Sequence, residues 1–263
     1  MRKLAESTEP KVRAPGIGKT AINGCVTLAI ALSVFGSGAS ALAAQAPAAA
    51  EGRALRIGII GAGSMGGPLG QLLAEAGHQI IYSSRNPDQL MDLVRDAAPR
   101  ATAGYADAAA HFGEVVILAV PPGAIPELAE EIGHLLQGKI VIDITNPRLD
   151  RDGPITQEWL AMGTGLAMAQ YLPGARMVKA FNTLGASMFT SAHRDGELIG
   201  VPLAGNDEAA LAVAAMLVSD AGFEPVVVGP LDRAKEFDRD TPVWVTGMTA
   251  REVREALGLP RGP

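Results

Sequence analysis

From Ile57 to Gly67 the chain reads IGIIGAGSMGG. A β-branched run breaks there into Gly61-Ala62-Gly63-Ser64-Met65-Gly66, and glycines at that spacing between a strand and a helix point to binding of a pyrophosphate. Gly61 permits a tight turn, Gly63 lets phosphates approach the backbone, and Gly66 lets helix and strand pack closely. Amides at the start of the following helix would face the anion. The alternative is a glycine turn without a ligand, and the strand before it and the helix after it favour the dinucleotide.

A second stretch selects among dinucleotides. An NAD site usually ends its second strand with an acid that accepts from the ribose hydroxyls, whereas this chain reads Ser83-Ser84-Arg85-Asn86. Hydroxyls and a guanidinium suit a 2′-phosphate, so the predicted cofactor is NADP(H); the alternative is a solvated arginine. No acid–base constellation accompanies it. His78, His111, His134 and His193 are isolated in sequence and read as surface or capping groups, so no metal site and no catalytic residue is assigned. Asp143 is open between a functional and a hydrogen-bonding role. Hydride transfer between stacked rings needs proximity and orientation with no obligatory acid or base, which suits such a chain.

The elements that must position these residues alternate. Strands are predicted at 55–60, 78–83, 101–103, 114–120, 139–145, 175–181, 201–205 and 224–229. Helices are predicted at 65–76, 87–97, 105–111, 125–136, 157–171 and 207–221. The run EVVILAV is almost wholly apolar, which implies burial on both faces. Alternation at this spacing means an α/β fold with a doubly wound, mostly parallel sheet, a Rossmann NAD(P)-binding fold. It forms a single domain over 54–230, followed by a short C-terminal tail, 231–263. In the tail, Thr249-Ala250-Arg251-Glu252 is a capping box opening a last helix to about Leu257.

The first fifty residues differ from this body. Arg2, Lys3, Lys11, Arg13 and Lys19 precede the apolar run CVTLAIALSVF, and small-x-small sites follow at Ala39-Ser40-Ala41 and Ala41-Leu42-Ala43. That is the order of a signal peptide, 1–43, with a linker over 44–53. About eleven apolar residues fall short of the roughly twenty that span a bilayer. Cleavage implies an exported or periplasmic protein; an uncleaved anchor or an over-long start implies a membrane-anchored or cytoplasmic one. PGIGKT at Pro15–Thr20 imitates a phosphate loop but has Arg13 where the motif needs glycine. The chain's formal charge of −6 becomes −9 when the leader takes away five Lys/Arg and two acids, a balance that does not suit nucleic acid. The sole cysteine, Cys25, lies in the leader, so a mature chain has no disulfide.

Together GAGSMG, SSRNP (83–87), AVPP (119–122), DITNP (143–147), VKAFNT (178–183) and FEPVVVGPL (223–231) resemble the NADPH:deazaflavin (coenzyme F420) oxidoreductases and their bacterial relatives. The domain of that family also occurs in membrane ferric reductases. The resemblance runs from about Leu55 to Leu231. It implies that Gly61, Ala62, Gly63, Ser64 and Met65 hold the pyrophosphate and that Ser84 and Arg85 hold the 2′-phosphate. It places Ala119, Val120, Pro121 and Pro122, with Asn146 and Pro147, beside the nicotinamide, and Asn182, Thr183 and Leu184 at the acceptor. Archaeal members carry histidine where Asn182 stands, a basic residue where Asp88-Gln89 stands, and a longer C-terminal helix that helps form a homodimer and the deazaflavin site. The acceptor is therefore open between a deazaflavin, a flavin and another planar ring. Lys179-Ala180-Phe181-Asn182 also looks like the lysine and asparagine pair of β-hydroxyacid dehydrogenases, in which lysine donates a proton, but there the pair sits in a long helical second domain. The function expected is hydride transfer between NADP(H) and a small-molecule acceptor; the alternatives are a non-enzymatic dinucleotide-binding or sensor protein and an exported chain that has lost its cofactor.

Overall fold

The apolar runs of the body become strands in a computed structural model that describes residues 53–194 and 196–262. The leader, most of the linker, Cys25 and the PGIGKT stretch lie outside the described residues. The strands are β1 (Arg56–Ile60), β2 (Gln79–Ser83), β3 (Ala101–Gly104), β4 (Val115–Leu118), β5 (Ile140–Asp143), β6 (Arg176–Lys179), the short hairpin β7 (His193–Arg194) and β8 (Glu197–Leu198), β9 (Gly200–Gly205) and β10 (Glu224–Gly229). The helices are α1 (Gly66–Glu75), α2 (Met91–Asp96), α3 (Ala106–Phe112), α4 (Ile125–Ile132), α5 (Leu149–Asp152), α6 (Ile155–Met162), α7 (Thr164–Tyr171), α8 (Glu208–Asp220) and α9 (Ala250–Ala256). Among the described residues no helix is long and apolar enough to cross a membrane.

The main sheet has the order β10-β9-β6-β5-β4-β1-β2-β3. β1 to β6 run parallel, joined by helical crossovers, and their order reverses between β1 and β4. Side-chain alternation fills both faces: Ile57, Ile59, Ile117 and Ile142 pack against α1 and α8 through Leu69, Leu73 and Leu217, while Ile60, Val116, Leu118 and Val141 pack against α3, α4, α6 and α7 through Ala109, Ile125, Trp159 and Met168. This is the doubly wound, mostly parallel sheet expected from the alternation.

Four details depart from the sequence reading. β9 runs antiparallel to β6, because the connection 180–199 contains no crossover helix to carry the chain back, and β9-α8-β10 then forms its own parallel unit. The helix expected over 157–171 is two helices, α6 and α7, broken at Gly163, whose φ of 95° ends the first. α5 and the β7–β8 hairpin are too short to leave a periodic signal. His78, expected at the surface or a cap, is only 3% exposed. Its Nδ1 accepts the Leu55 N–H at 3.0 Å, so Nε2 carries the proton and donates to Asp220 Oδ2 at 3.0 Å. The ring thus clips the chain entering β1 to the end of α8.

The tail packs on the sheet beyond β6. A 3-10 turn over Leu231–Phe237 buries Leu231, Ala234 and Phe237, and α9 seats Ala250 and Val253 against Val226. The capping box is formed: Thr249 N–H donates to Glu252 Oε2 at 2.9 Å and Glu252 N–H to Thr249 Oγ1 at 3.4 Å.

One contact sets how closely the α3 layer approaches. A Cβ on Gly58, in the middle of β1, would lie 2.1 Å from the backbone oxygen of Ala109. Gly58→Ala must push α3 off the sheet, and an overpacked core costs about 1–3 kcal/mol. A thermal melt is expected to show a midpoint lowered by several degrees, and an unchanged midpoint would show that α3 yields freely.

Candidate functional site

The site follows from register. Ser83 pairs with Ile60, Ile60 with Leu118, Leu118 with Asp143 and Asp143 with Lys179, so the five central strands end in one row. The loops after them emerge along one edge at the point where the strand order reverses, the place at which open α/β sheets bind ligands.

Sterics fix the glycine loop there. Gly61 has φ of 98°, and a Cβ on it would lie 2.8 Å from Ala119 O. A Cβ on Gly66 would lie 2.1 Å from Gly61 O and 3.0 Å from Ile59 Cγ2, so α1 starts directly against the end of β1. Below it, the Tyr82 phenol donates to Gly67 O at 3.3 Å; burial first, and then the charge of Glu75, push that phenol up and keep it a donor. A Cβ on Gly63, by contrast, would meet nothing within 4 Å, which leaves the loop's outer side bare. No side chain caps α1 and its first turn holds no acid, so its N-terminal amides are left for an anion.

A cleft of about 640 Å³ opens beside this loop. Gly61, Ala62 and Gly63 line it with Ser83, Ser84 and Arg85 on one side and Ala119, Val120 and Pro121 on another. Backbone bonds hold these walls: Ala62 N–H to Ser83 O at 3.2 Å, Ser84 N–H to Gly104 O at 3.3 Å and Ala119 N–H to Ile60 O at 2.8 Å. Ser84 Oγ accepts the Asn86 N–H at 3.1 Å. Arg85 is exposed and has no ion-pair partner among the described residues, so its guanidinium is available to an anionic ligand. Ser64, Met65 and Gly66 form the entry to α1 beside the cleft, and buried Pro122 opens the short turn that follows Pro121.

Sequence reasoning missed part of this lining. Tyr105, 61% exposed, stands directly after β3 on the cleft wall, and Leu90, Leu128, Glu127 and Glu131 complete it. The signal for Tyr105 was present: an aromatic directly after a strand that neighbours the Ser84–Arg85 strand.

The remaining candidates lie apart. Asn146 Nδ2 donates to Asn182 O at 2.7 Å, and fully buried Asn182 donates from Nδ2 to Phe237 O at 3.0 Å. Thr183 O accepts the Val245 N–H at 2.9 Å, so the tail lies over the Asn182–Leu184 turn. Pro147 lines a second cavity, about 450 Å³, with Arg148, Leu149, Thr156 and Arg239.

Lys179 and Asp143 face each other between β6 and β5. Lys179 Nζ donates to Asp143 Oδ2 at 2.9 Å and to Thr145 O at 2.5 Å, while Asp143 Oδ1 accepts the Thr145 N–H at 2.8 Å. Both side chains are 0% exposed. The geometry assigns Asp143 the hydrogen-bonding role and encloses the Lys179 ammonium within the sheet, away from either cavity's lining. Among the described residues no group of three His, Cys, Asp or Glu side chains could hold a metal ion.

Residues 56–147 match the family model described as NADP oxidoreductase, coenzyme F420-dependent. The chain is 30% identical to a hypothetical protein, SMa0349 from Sinorhizobium meliloti, covering 73% of this chain and 93% of that one with a TM-score of 0.60. A candidate F420-dependent NADP-reductase from Arthrobacter sp. FB24 is 26% identical, with 79% and 96% covered and a TM-score of 0.63. Metalloreductase STEAP3 of Rattus norvegicus is 27% identical over 195 residues, 72% of this chain; the chain spans only 38% of that relative's length. With its glycine loop, its Ser84–Arg85 wall and these likenesses, the chain belongs to the family described as NADP oxidoreductase, coenzyme F420-dependent.

Proposed function

We propose that the chain transfers a hydride between NADP(H) and a planar acceptor ring such as a deazaflavin or a flavin. The observation that carries this reading is the single row of strand ends, which brings the glycine loop, Ser84–Arg85 and Ala119–Pro121 into one cleft while the buried Lys179–Asp143 pair is turned inward. The residues present fit the dinucleotide. A bare Gly63, an uncapped α1 and an unpaired Arg85 are what its pyrophosphate and 2′-phosphate require.

When bound, the reduced nicotinamide supplies two electrons and one proton to the acceptor, which takes a second proton from solvent. The chain's own residues hold and orient. Gly61 and Gly63 keep side chains out of the phosphate path, the α1 amides and Arg85 neutralise anionic oxygens, and Val120 and Pro121 give the cleft an apolar wall. No side chain has to donate or remove a proton in such a transfer.

Two measurements test this. Charge-assisted hydrogen bonds to a phosphate contribute about 1.5–3 kcal/mol each, so Arg85→Ala is expected to weaken NADPH by roughly tenfold to a hundredfold and leave NADH almost untouched. Calorimetric titration of both cofactors decides; equal losses would mean that Arg85 does not read the phosphate. Lys179→Met leaves the Asp143 carboxylate buried and unpaired, which costs about 3–5 kcal/mol of stability, whereas the turnover of protein that remains folded is expected to fall less than about a hundredfold. A larger loss of turnover with NADPH affinity unchanged would restore Lys179 as a proton donor. For residues 1–43 the proposal is export with cleavage, and intact mass of protein from its native host is expected to give an N-terminus between Leu42 and Gln45 in an exported fraction. Recovery of only the full-length chain from the cytoplasm would refute it.

A further inference from the structure

A carboxylate enclosed by protein must have its oxygens hydrogen-bonded, so its partners show what it holds in place. The Asp143 carboxylate pairs with Lys179 within the sheet. That of Asp238 accepts from Thr164 N–H at 2.9 Å and from the Thr164 hydroxyl, and so caps the start of α7. Asp152 ends the four-residue helix α5, its side chain is 1% exposed, and it lines neither of the two cavities. Its partners lie on two separate loops.

Asp152 Oδ1 accepts the Gly123 N–H at 3.2 Å, on the turn after β4, and Oδ2 accepts the Arg148 N–H at 2.8 Å, on the loop after β5. Arg151 completes the node. Its Nε donates to Oδ1 at 3.0 Å, and its Nη2 donates to Oδ2 at 2.7 Å and to Asn146 O, again on the loop after β5, at 2.8 Å. Burial opposes the charge of Asp152, but the hydrogen bonds from Arg151, Arg148 and Gly123 outweigh it and hold the carboxyl below the ordinary carboxylate range. The packing is close as well: a Cβ on Gly123 would lie 3.3 Å from Asp152 Cα.

The sequence explains why a side chain makes this join. β4 and β5 pair as far as Leu118 and Asp143, and Ile144 N–H still reaches Leu118 O at 3.2 Å. Pro121-Pro122 then takes two donors from one loop and Pro147 takes one from the other, so the backbone ladder cannot continue through them. The first N–H after the prolines of each loop belongs to Gly123 and to Arg148, and Asp152 accepts both. The joined loops stand at one end of the dinucleotide's path. Arg85 follows β2, the glycine loop follows β1, and the sheet order continues to β4 and β5. A dinucleotide with its 2′-phosphate at Arg85 and its pyrophosphate on the glycine loop therefore has its nicotinamide half over the loops after β4 and β5.

We propose that Asp152 is a positioning residue for the nicotinamide: its carboxylate locks the loop after β4 to the loop after β5 and so fixes the place of the Val120–Pro121 wall relative to Asn146. The inference rests on the hydride-transfer reading and adds to it a residue that acts through the cleft wall without touching the ligand. A ring that must present one face to an acceptor needs a fixed support, and a misplacement of about 1 Å can slow such a reaction by about a hundredfold. Without the carboxylate the two loops are no longer joined, and binding of the ring has to order them. The walls after β1 and β2, which face the adenosine half, make no bond to this node among the described residues.

The test is calorimetric titration of the full chain with NADPH and with 2′-phospho-ADP-ribose, which keeps the 2′-phosphate and the pyrophosphate and lacks the nicotinamide. Asp152→Ala is expected to weaken NADPH by about three- to tenfold, the cost of ordering the freed loops, and to leave 2′-phospho-ADP-ribose unchanged. Asp152→Asn keeps the size of the side chain but offers one acceptor oxygen in place of two, and is expected to give the same selective loss at about threefold, with a lower fluorescence anisotropy of the bound reduced nicotinamide. Asp150→Ala, on the same helix, removes only the surface pair with Arg148 and is expected to change neither affinity. Equal losses for the two ligands, an NADPH affinity unaltered in both Asp152 variants, or a selective loss in Asp150→Ala would overturn the proposal. The dinucleotide reading fails separately, when the unsubstituted chain binds neither ligand, and the proposal falls with it.

Discussion

The site depends on how closely the first turn of α1 approaches the end of β1. Gly61 and Gly66 allow backbone to meet backbone, and any side chain at Gly66 would occupy the place of Gly61 O. Because the helix begins there, its uncapped amides open on the cleft, and Tyr82 beneath it ties the next turn to β2. β2 in turn ends in Ser83 and leads to Ser84 and Arg85, so the Ser84–Arg85 wall and the glycine loop share one support. A shift of α1 would move both.

The other fixed element is ionic. Lys179 and Asp143 join β6 to β5 at the same row of strand ends, fully enclosed, with Thr145 completing their hydrogen bonds. In sequence the lysine, followed three residues later by Asn182, imitates a catalytic pair; in the fold the two diverge, Lys179 into the sheet and Asn182 under the tail. A buried charge pair is not by itself a source of stability, and here it joins β5 to β6 at the row where both strands end.

Much of this was legible in the residues because it rests on local rules. Strand and helix alternation, the glycine spacing and the missing acid after β2 each express a constraint confined to a few neighbours, and the corresponding loops do meet in one cleft. The Thr249 capping box was legible for the same reason. What escaped depends on distant partners. Gly163 breaks a helix with a φ that its own neighbours do not announce, His78 is paired with Asp220, 142 residues downstream, and β9 reverses direction because a loop stands where a crossover helix was assumed. The segment around Trp244 is polar and aperiodic, and only the packed structure shows that it covers Asn182 and Thr183.

The cap on α7 has a consequence for the order in which the molecule can be assembled. Thr164 receives its carboxylate from Asp238, 74 residues downstream. On the ribosome, every strand from β1 to β6 and every wall of the dinucleotide cleft is synthesised before that carboxylate exists. The nucleotide half can therefore collapse around its own core while the start of α7 is still open to water. The cavity beside it, which Arg239 and Asp240 help to line, is likewise completed only after the nucleotide half has been made.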